Sequence, residues 1–312
     1  MSAPFRIVFG GYQGPASVHT RGAEVFAAAL TRITDGDATV ELRPNITAEG
    51  HKAADLLTLV EQGDIHGCYF SSSYMAGRVA SLALFDMPFA APKRDALFTR
   101  LDGDLGVYIA DDVARQTGFA VLGYWDNGLR HISARRALTG PDDCKGLSLR
   151  TLASEDHQRA FRALGFDPRV IDVKDLPTAV ASGEVDAQEN PLTNIYNFGL
   201  HRAQPEITLT GHLQGVAPVW FHRATLESWP ADLRQAIRDA ITEASIAQRG
   251  FALEDDSSCT QALRADGARL HSPSDAQIRA FRDAVAAENA STRKRIEGPA
   301  LELFEQPQEI AV

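Results

Sequence analysis

The sequence predicts an α/β protein of two lobes, joined by strands that cross a hinge and by one long helix spanning both lobes. Three observations predict it. Two segments share one grammar. FRIVFGG, an amphipathic stretch, ATVELRP and LLTLVEQGDIHGCYFSS match KGLSLRTLAS, a helix-like stretch, PRVIDV and LPTAVASGEVDAQENP. Each runs strand, helix, strand, helix, strand. Each closes on a small-apolar helix end, a Gly, an acidic residue and a short strand, VEQGDIHG beside ASGEVDAQ. Residues 119–134 then read as two strands across a hinge, the arrangement that permits domain closure. Finally, helical periodicity runs from Leu233 to Leu263, about 45 Å at 1.5 Å per residue, long enough to brace two lobes.

Taken in order, residues 5–10 read as a strand and GGYQGP as a loop. Val18 to Thr34 places Val18, Val25, Phe26, Ala29, Leu30 and Ile33 on one helical face. Thr39 to Arg43 is a strand, and Ala53 to Gln62 is a helix that Gly63 stops. Ile65 to Phe70 is a strand with Ser71, Ser72, Ser73 and Tyr74 at its carboxyl end. The apolar, proline-punctuated run Ala83 to Pro92 reads as loop or edge. Arg94 to Thr117 reads as one helix or two. Phe119 to Trp125 and Gly128 to Ala134 are the hinge strands. Asp175 to Ser182 is the short helix of the second repeat, and Ile207 to Leu209 and Val216 to His222 are further strands. Trp229-Pro230-Ala231-Asp232 starts the long helix, Ser274 to Lys294 is another helix, and the tail from Pro299 is a docked or loose end. The expected lobes are residues 1–126 plus 214–253 and residues 127–213 plus 254–312, with a ligand cleft between them.

The 312 residues suffice for two lobes with real cores. A net charge of −10, without blocks of Lys and Arg, excludes the basic face that nucleic acid requires. An anionic ligand stays open, because local field matters more there than net charge. No apolar run is long enough to cross a membrane. Cys68, Cys144 and Cys259 lie far apart without a metal spacing and read as free or buried thiols. MSAPFRIVFGG enters a strand at once, with no charged region and apolar core of a secretory signal. No HExxH, GxSxG, Walker or GxGxxG motif is present. The acidic clusters Glu155-Asp156-His157 and Glu254-Asp255-Asp256 fall in helices and read as solvated faces.

Ligands of open α/β sheets sit at the carboxyl ends of strands. Arg150 ends the first strand of the second repeat, and its planar guanidinium fork matches a carboxylate. Arg130, just past the hinge strand, can reach the same place. Two guanidinium groups that converge would repel, and a shared anion would explain both. Asn190 ends the third strand, held extended by Pro191. Each arginine has an ordinary salt bridge as its competing reading, and Asn190 a turn. Trp125, Tyr74, Tyr196 and Trp220 lie near strand ends and could wall a cleft, with core packing as the competing reading. Gln13, His19, Ser72, Ser73 and Asn194 could address ligand hydroxyls.

At GYWDNGLRHIS, KGLSLRT and GEVDAQENPL the chain resembles the solute-binding proteins of tripartite ATP-independent periplasmic (TRAP) transporters, dicarboxylate type, over essentially its whole length. The resemblance implies a two-lobed periplasmic binding-protein fold that closes by a hinge on an organic acid and delivers it to a membrane permease. It implies that Arg150 clamps the ligand carboxylate, that Arg130 adds a second contact and that Asn190 completes the site. Thr151-Leu152 stands where the family often has Val-Pro, and GGYQGPASVHT replaces a commoner loop, which leaves ligand identity open. The expectation is a monomeric periplasmic receptor, its signal segment removed, with no cofactor and no catalysis. A sugar acid such as a uronate or aldonate leads; a dicarboxylate, a 2-oxo acid and an aromatic acid are alternatives. An enzyme acting on an anionic metabolite and a sensor-coupled binding module are the competing classes.

Overall fold

The computed structural model describes residues 5–306. The chain opens with β1 (Phe5–Gly10), α1 (Val18–Ile33), β2 (Ala38–Arg43), α2 (Asp55–Gln62), β3 (Gly67–Tyr69), α3 (Arg94–Leu101) and α4 (Asp104–Gln116). There follow β4 (Phe119–Ala134), α5 (Pro141–Cys144), β5 (Ser148–Thr151), α6 (Glu155–Ala163), β6 (Asp167–Val170), α7 (Leu176–Ser182), β7 (Ala187–Pro191) and α8 (Leu192–Asn197). The rest is β8 (Glu206–His222), α9 (Arg223–Ser228), α10 (Ala231–Ala265), β9 (Arg269–His271), α11 (Asp275–Arg295) and α12 (Pro299–Glu305).

These elements form two compact units. Unit 1 holds the chain up to Ser71, Ala110–Asp126 and Val216–Asp255; unit 2 holds Ser72–Ile109, Asn127–Gly215 and the chain from Asp256. β4 passes from unit 1 to unit 2 after Asp126, β8 returns after Gly215, and α10 leaves unit 1 after Asp255.

In unit 1 the strand order is β2-β1-β3-β8-β4. β1 is parallel to β2 and β3, and β3 is antiparallel to β8. Ile7, Phe9, Phe26, Leu30, Phe221, Ile237 and Ile241 fill the core between this sheet and the apolar faces of α1 and α10. Each such side chain contributes about 1.5–3 kcal/mol on burial. In unit 2, β4 is antiparallel to β7, β7 and β6 are parallel to β5, and β9 pairs with β8. Its core gathers Leu149, Phe161, Phe166, Ala187, Phe281 and Val285.

The repeated Gly signal is realised in both units. Gly63 ends α2 at φ 79° and Gly183 ends α7 at φ 82°. In each case a left-handed residue closes the helix through its backbone N–H and turns the chain into a parallel strand, a geometry that costs a residue with Cβ more than Gly.

Four expectations need correction. Residues 72–109 belong to unit 2 rather than to the first lobe. The reason is that Ala80–Asp86 is not an edge loop but a buried 3-10 helix packed on α6, α11 and α12. There Phe85 meets Phe304 edge to face at 6.2 Å, and the Asn289 amide donates to the Pro88 carbonyl at 2.7 Å. The two hinge strands are one, β4. Its Gly128 sits at φ 80° with Pro191 of β7 so close that a Cβ would lie 2.7 Å from that ring. The two strands expected at 207–209 and 216–222 are likewise one, β8. Finally, Asp156 and His157 are buried, not solvated. Asp156 accepts from Thr292 and Arg295 of α11, which covers that face of α6.

Candidate functional site

Arg150 lies in β5 opposite Gln188 of β7, so the two side chains share a face of the sheet. Two residues on, Asn190 returns to that face and its amide donates to Gln188 Oε1 at 2.6 Å. Gln188 in turn donates to Ser133 at 2.7 Å, and the Asn194 amide donates to Asn190 Oδ1 at 3.3 Å. Asn190 therefore sits in a row of amides that holds its orientation. Arg150 is 1 % exposed. Its Nε donates to the Ile171 carbonyl at 2.8 Å, while its Nη2 is buried with no partner among the described residues. A buried guanidinium donor left unmatched costs on the order of 1–3 kcal/mol.

Glu189, between Gln188 and Asn190, points the other way and meets Arg130. Arg130 Nε reaches Glu189 Oε2 at 2.5 Å, and Nη2 reaches Oε1 at 2.8 Å and the Glu189 carbonyl at 2.9 Å. This corrects the expectation of two guanidinium groups that need one ligand between them: the protein supplies Arg130 with its own anion. His212 Nε2 stands 3.4 Å from Glu189 Oε2, and His157 Nδ1 stands 4.0 Å from Oε1. Burial pushes the Glu189 carboxyl up, but Arg130, the His212 hydrogen bond and His157 outweigh it and hold the group far below the usual carboxylate range. Glu189 is thus ionised, the Arg130–Glu189 pair is neutral, and Arg150 has no ion-pair partner among the described residues. Tyr74 lies near both sets: burial raises its phenol, Arg150 and Arg130 oppose that shift, and Asp172 and Glu189 add to it.

The Ser73 hydroxyl donates to Asp86 Oδ1 at 2.6 Å, and Ser154 donates to Oδ2 at 2.8 Å. His157 Nε2 sits 3.0 Å from the same carboxylate. The Ser73 hydroxyl thus stands between the Asp86 carboxylate and His157 Nε2, which lies 3.5 Å from it. Asp86, His157, Glu189 and His212 carry much of the local electrostatics, and none of them belonged to the sequence-predicted set.

In unit 1, Gln13 and His19 come together at the carboxyl end of β1, where α1 begins. Ser17 caps α1, its hydroxyl accepting from the His19 N–H at 3.1 Å and donating to Gln13 Oε1. His19 Nδ1 lies 3.2 Å from the same Gln13 oxygen. The imidazole stacks on Tyr69 at 4.7 Å, and Tyr69 stacks on Trp125 at 5.5 Å. Burial lowers the His19 pKa to about 3, so the ring is neutral. Trp125 and Trp220 depart from the expectation of cleft walls. Both are fully buried, and their indole N–H groups are used inside unit 1, on Ser245 at 3.1 Å and on the Phe70 carbonyl at 2.9 Å. The alternation of β4 and β8 turns these rings into the core.

Replacing Glu189 with Gln is expected to destabilise the protein by roughly 3–5 kcal/mol, because Arg130 stays buried without its counter-charge. Denaturant titration of the variant measures this; a loss below about 1 kcal/mol would mean that Arg130 does not depend on the pair.

The profile of the bacterial extracellular solute-binding protein family 7 matches residues 9–294. The chain belongs to this family. It is a TRAP-type solute-binding protein, not an enzyme. The C4-dicarboxylate-binding periplasmic protein DctP of Rhodobacter capsulatus is 26% identical over 268 residues, 86% of this chain and 80% of that one. A TRAP periplasmic solute-binding protein of Shewanella oneidensis, solved with bound succinate, is 25% identical at TM-score 0.91, covering 97% of this chain and 98% of that chain. The sugar acid binding protein of Advenella mimigardefordensis, solved with galactonate, shares the fold at TM-score 0.91 and 23% identity, with 97% of each chain covered. Family 7 proteins of this kind are periplasmic, and no described helix of this one is long and apolar enough to cross a membrane.

Proposed function

We propose that this family 7 protein captures a sugar acid, a uronate or an aldonate, and hands it to a TRAP permease. The observation that carries the reading is the buried Arg150 fork, whose Nη2 has no partner among the described residues while the neighbouring Arg130 is already neutralised. A carboxylate laid against it would supply two charge-assisted hydrogen bonds. Asn190 and Tyr74 border that position, and Arg130 takes part through its pair with Glu189. That the named relatives bind carboxylic acids supports the class.

The unit 1 set favours a polyol tail over a second carboxylate. Gln13, Ser17, neutral His19, Tyr12 and Tyr69 offer hydroxyl-matching groups and aromatic faces but no cation. The nearby Arg21 is occupied by Glu254 and Asp255, at 3.7 and 3.6 Å, and lies over the Phe251 ring at 3.8 Å. A second carboxylate placed there would be desolvated without a counter-charge.

A ligand that binds only the folded state raises apparent stability by RT ln(1 + [L]/Kd). In a thermal-shift series, glucuronate, galacturonate and galactonate are expected to raise the midpoint more than succinate does at equal concentration. A larger shift with succinate would overturn the sugar-acid reading and leave the acid receptor standing; no shift with any acid would overturn both.

A further inference from the structure

We infer that His19 is the residue that reads a ligand hydroxyl, acting as a hydrogen-bond acceptor through Nε2. The inference rests on the sugar-acid reading and assigns to one atom the discrimination between hydroxylated and plain acids.

The argument begins with proton placement. The Ser17 hydroxyl accepts the His19 backbone N–H, so its own proton is available to Gln13 Oε1. That oxygen is an acceptor, so the neighbouring His19 Nδ1 carries the ring proton and donates to it. A neutral imidazole with its proton on Nδ1 has a lone pair on Nε2. This Nε2 is buried and has no partner among the described residues, in a side chain only 1 % exposed. An unmatched buried acceptor requires an explanation. Its position supplies one: the first turn of α1, past the carboxyl end of β1, is where ligands meet open α/β sheets.

The surroundings hold the ring for that task. Tyr69 stacks on one face at an interplanar angle of 15°. Arg21 on the same helix is paired with Glu254 and Asp255, and no carboxylate among the described residues is hydrogen-bonded to the imidazole to favour its protonation. The groups against it from the β1–α1 loop, β3 and β4 are Gln13, Tyr69 and Trp125, all neutral. An acceptor of this kind suits O–H donors and repels a carboxylate oxygen. The preferred guest carries a hydroxyl that donates to His19 Nε2.

Calorimetry on the full chain with two matched pairs tests this: galactonate against hexanoate, and L-malate against succinate. The wild-type protein is expected to bind at least one hydroxylated member tenfold or more tightly than its plain counterpart. The substitution His19→Phe should shrink that ratio below threefold, and His19→Gln, which restores an acceptor oxygen, should recover part of it. An unchanged ratio in His19→Phe, or no preference in the wild type, overturns the inference. If acids bind and Arg150→Ala abolishes them all while the ratio ignores His19, the receptor reading survives and this one fails. Should His19→Phe not fold, nitrogen NMR of the wild-type imidazole decides. The Nε2 resonance must move on titration with galactonate and stay put with hexanoate; a Nε2–H tautomer, or equal shifts, overturns the assignment.

Discussion

Replacing Arg150 with alanine is expected to lower affinity for acid ligands by roughly thirtyfold to several thousandfold, the equivalent of about 2–5 kcal/mol for truncating one partner of a buried charge pair. The loss has two parts. The ligand carboxylate forfeits its charge-assisted bonds, and it must still be dehydrated to enter. The fold should not suffer with it. Arg150 has no ion-pair partner among the described residues, and of its guanidinium only Nε, on the Ile171 carbonyl, has a hydrogen bond. Removing an uncompensated buried charge is commonly neutral or stabilising, and Arg150→Met, which keeps the volume, should melt at or above the wild-type midpoint in the absence of ligand. Calorimetry together with ligand-free melting separates the cases. Retained affinity would show that the acid group sits elsewhere, and a fall in both affinity and stability would mark Arg150 as structural.

Arg130 is expected to behave in the opposite way. Its charge is already balanced inside unit 2, so losing Glu189 is expected to cost folding stability. Two arginines of similar sequence context thus have separable roles, and the separation depends on a residue that the sequence offers no reason to single out. Glu189 stands between Gln188 and Asn190 in QENP. Its partner lies 59 positions earlier, brought beside it by the antiparallel register of β4 and β7, in which Arg130 pairs with Pro191. That register is a tertiary fact. His212 was hidden for a similar reason: the strands read at Ile207–Leu209 and Val216–His222 leave TGHLQG unassigned between them, whereas β8 runs through it and buries the imidazole.

What was legible in the chain is local. The Gly63 and Gly183 stops, the strand-end positions of Arg150 and Asn190, and the long amphipathic α10 follow from turn chemistry and periodicity. What was not legible is set by elements distant in sequence. Residues 72–109 group with unit 2 because α11 and α12, some two hundred residues on, cover them. Asp156 is buried because α11 brings Thr292 and Arg295 against it. Periodicity alone cannot say which helical face will be covered. Trp125 and Trp220 show the same limit on strands, where alternation gives two faces without saying which is core.

Stability is expected to fall steeply as pH drops below about 6.5, with buried histidines as the cause. Burial lowers both His19 and His131 from 6.5 to about 3, with His212 adding to the shift of His131. His131 is held neutral by geometry as well, since its Nδ1 accepts the Gly211 N–H at 3.1 Å. Between pH 6.5 and 3 the unfolded chain carries a proton on each of these rings and the folded chain does not. Stability therefore rises with pH across that window, is complete above 6.5 and is lost progressively on acidification. Each ring contributes a slope of about 1.4 kcal/mol per pH unit, so the pair removes roughly 5 kcal/mol between pH 6 and pH 4. Glu189 acts in the same direction at lower pH: its folded-state pKa is depressed, so its contribution is present above 4.5 and declines below that value. Denaturant titrations at successive pH values measure the slope, and His131→Gln should reduce it by about 1.4 kcal/mol per pH unit between about pH 6 and 4.5, where the carboxylate is not yet involved. A flat profile from pH 7 to pH 5 would mean that these rings take up protons in the folded state, which would also remove the neutral acceptor at His19 on which hydroxyl recognition depends.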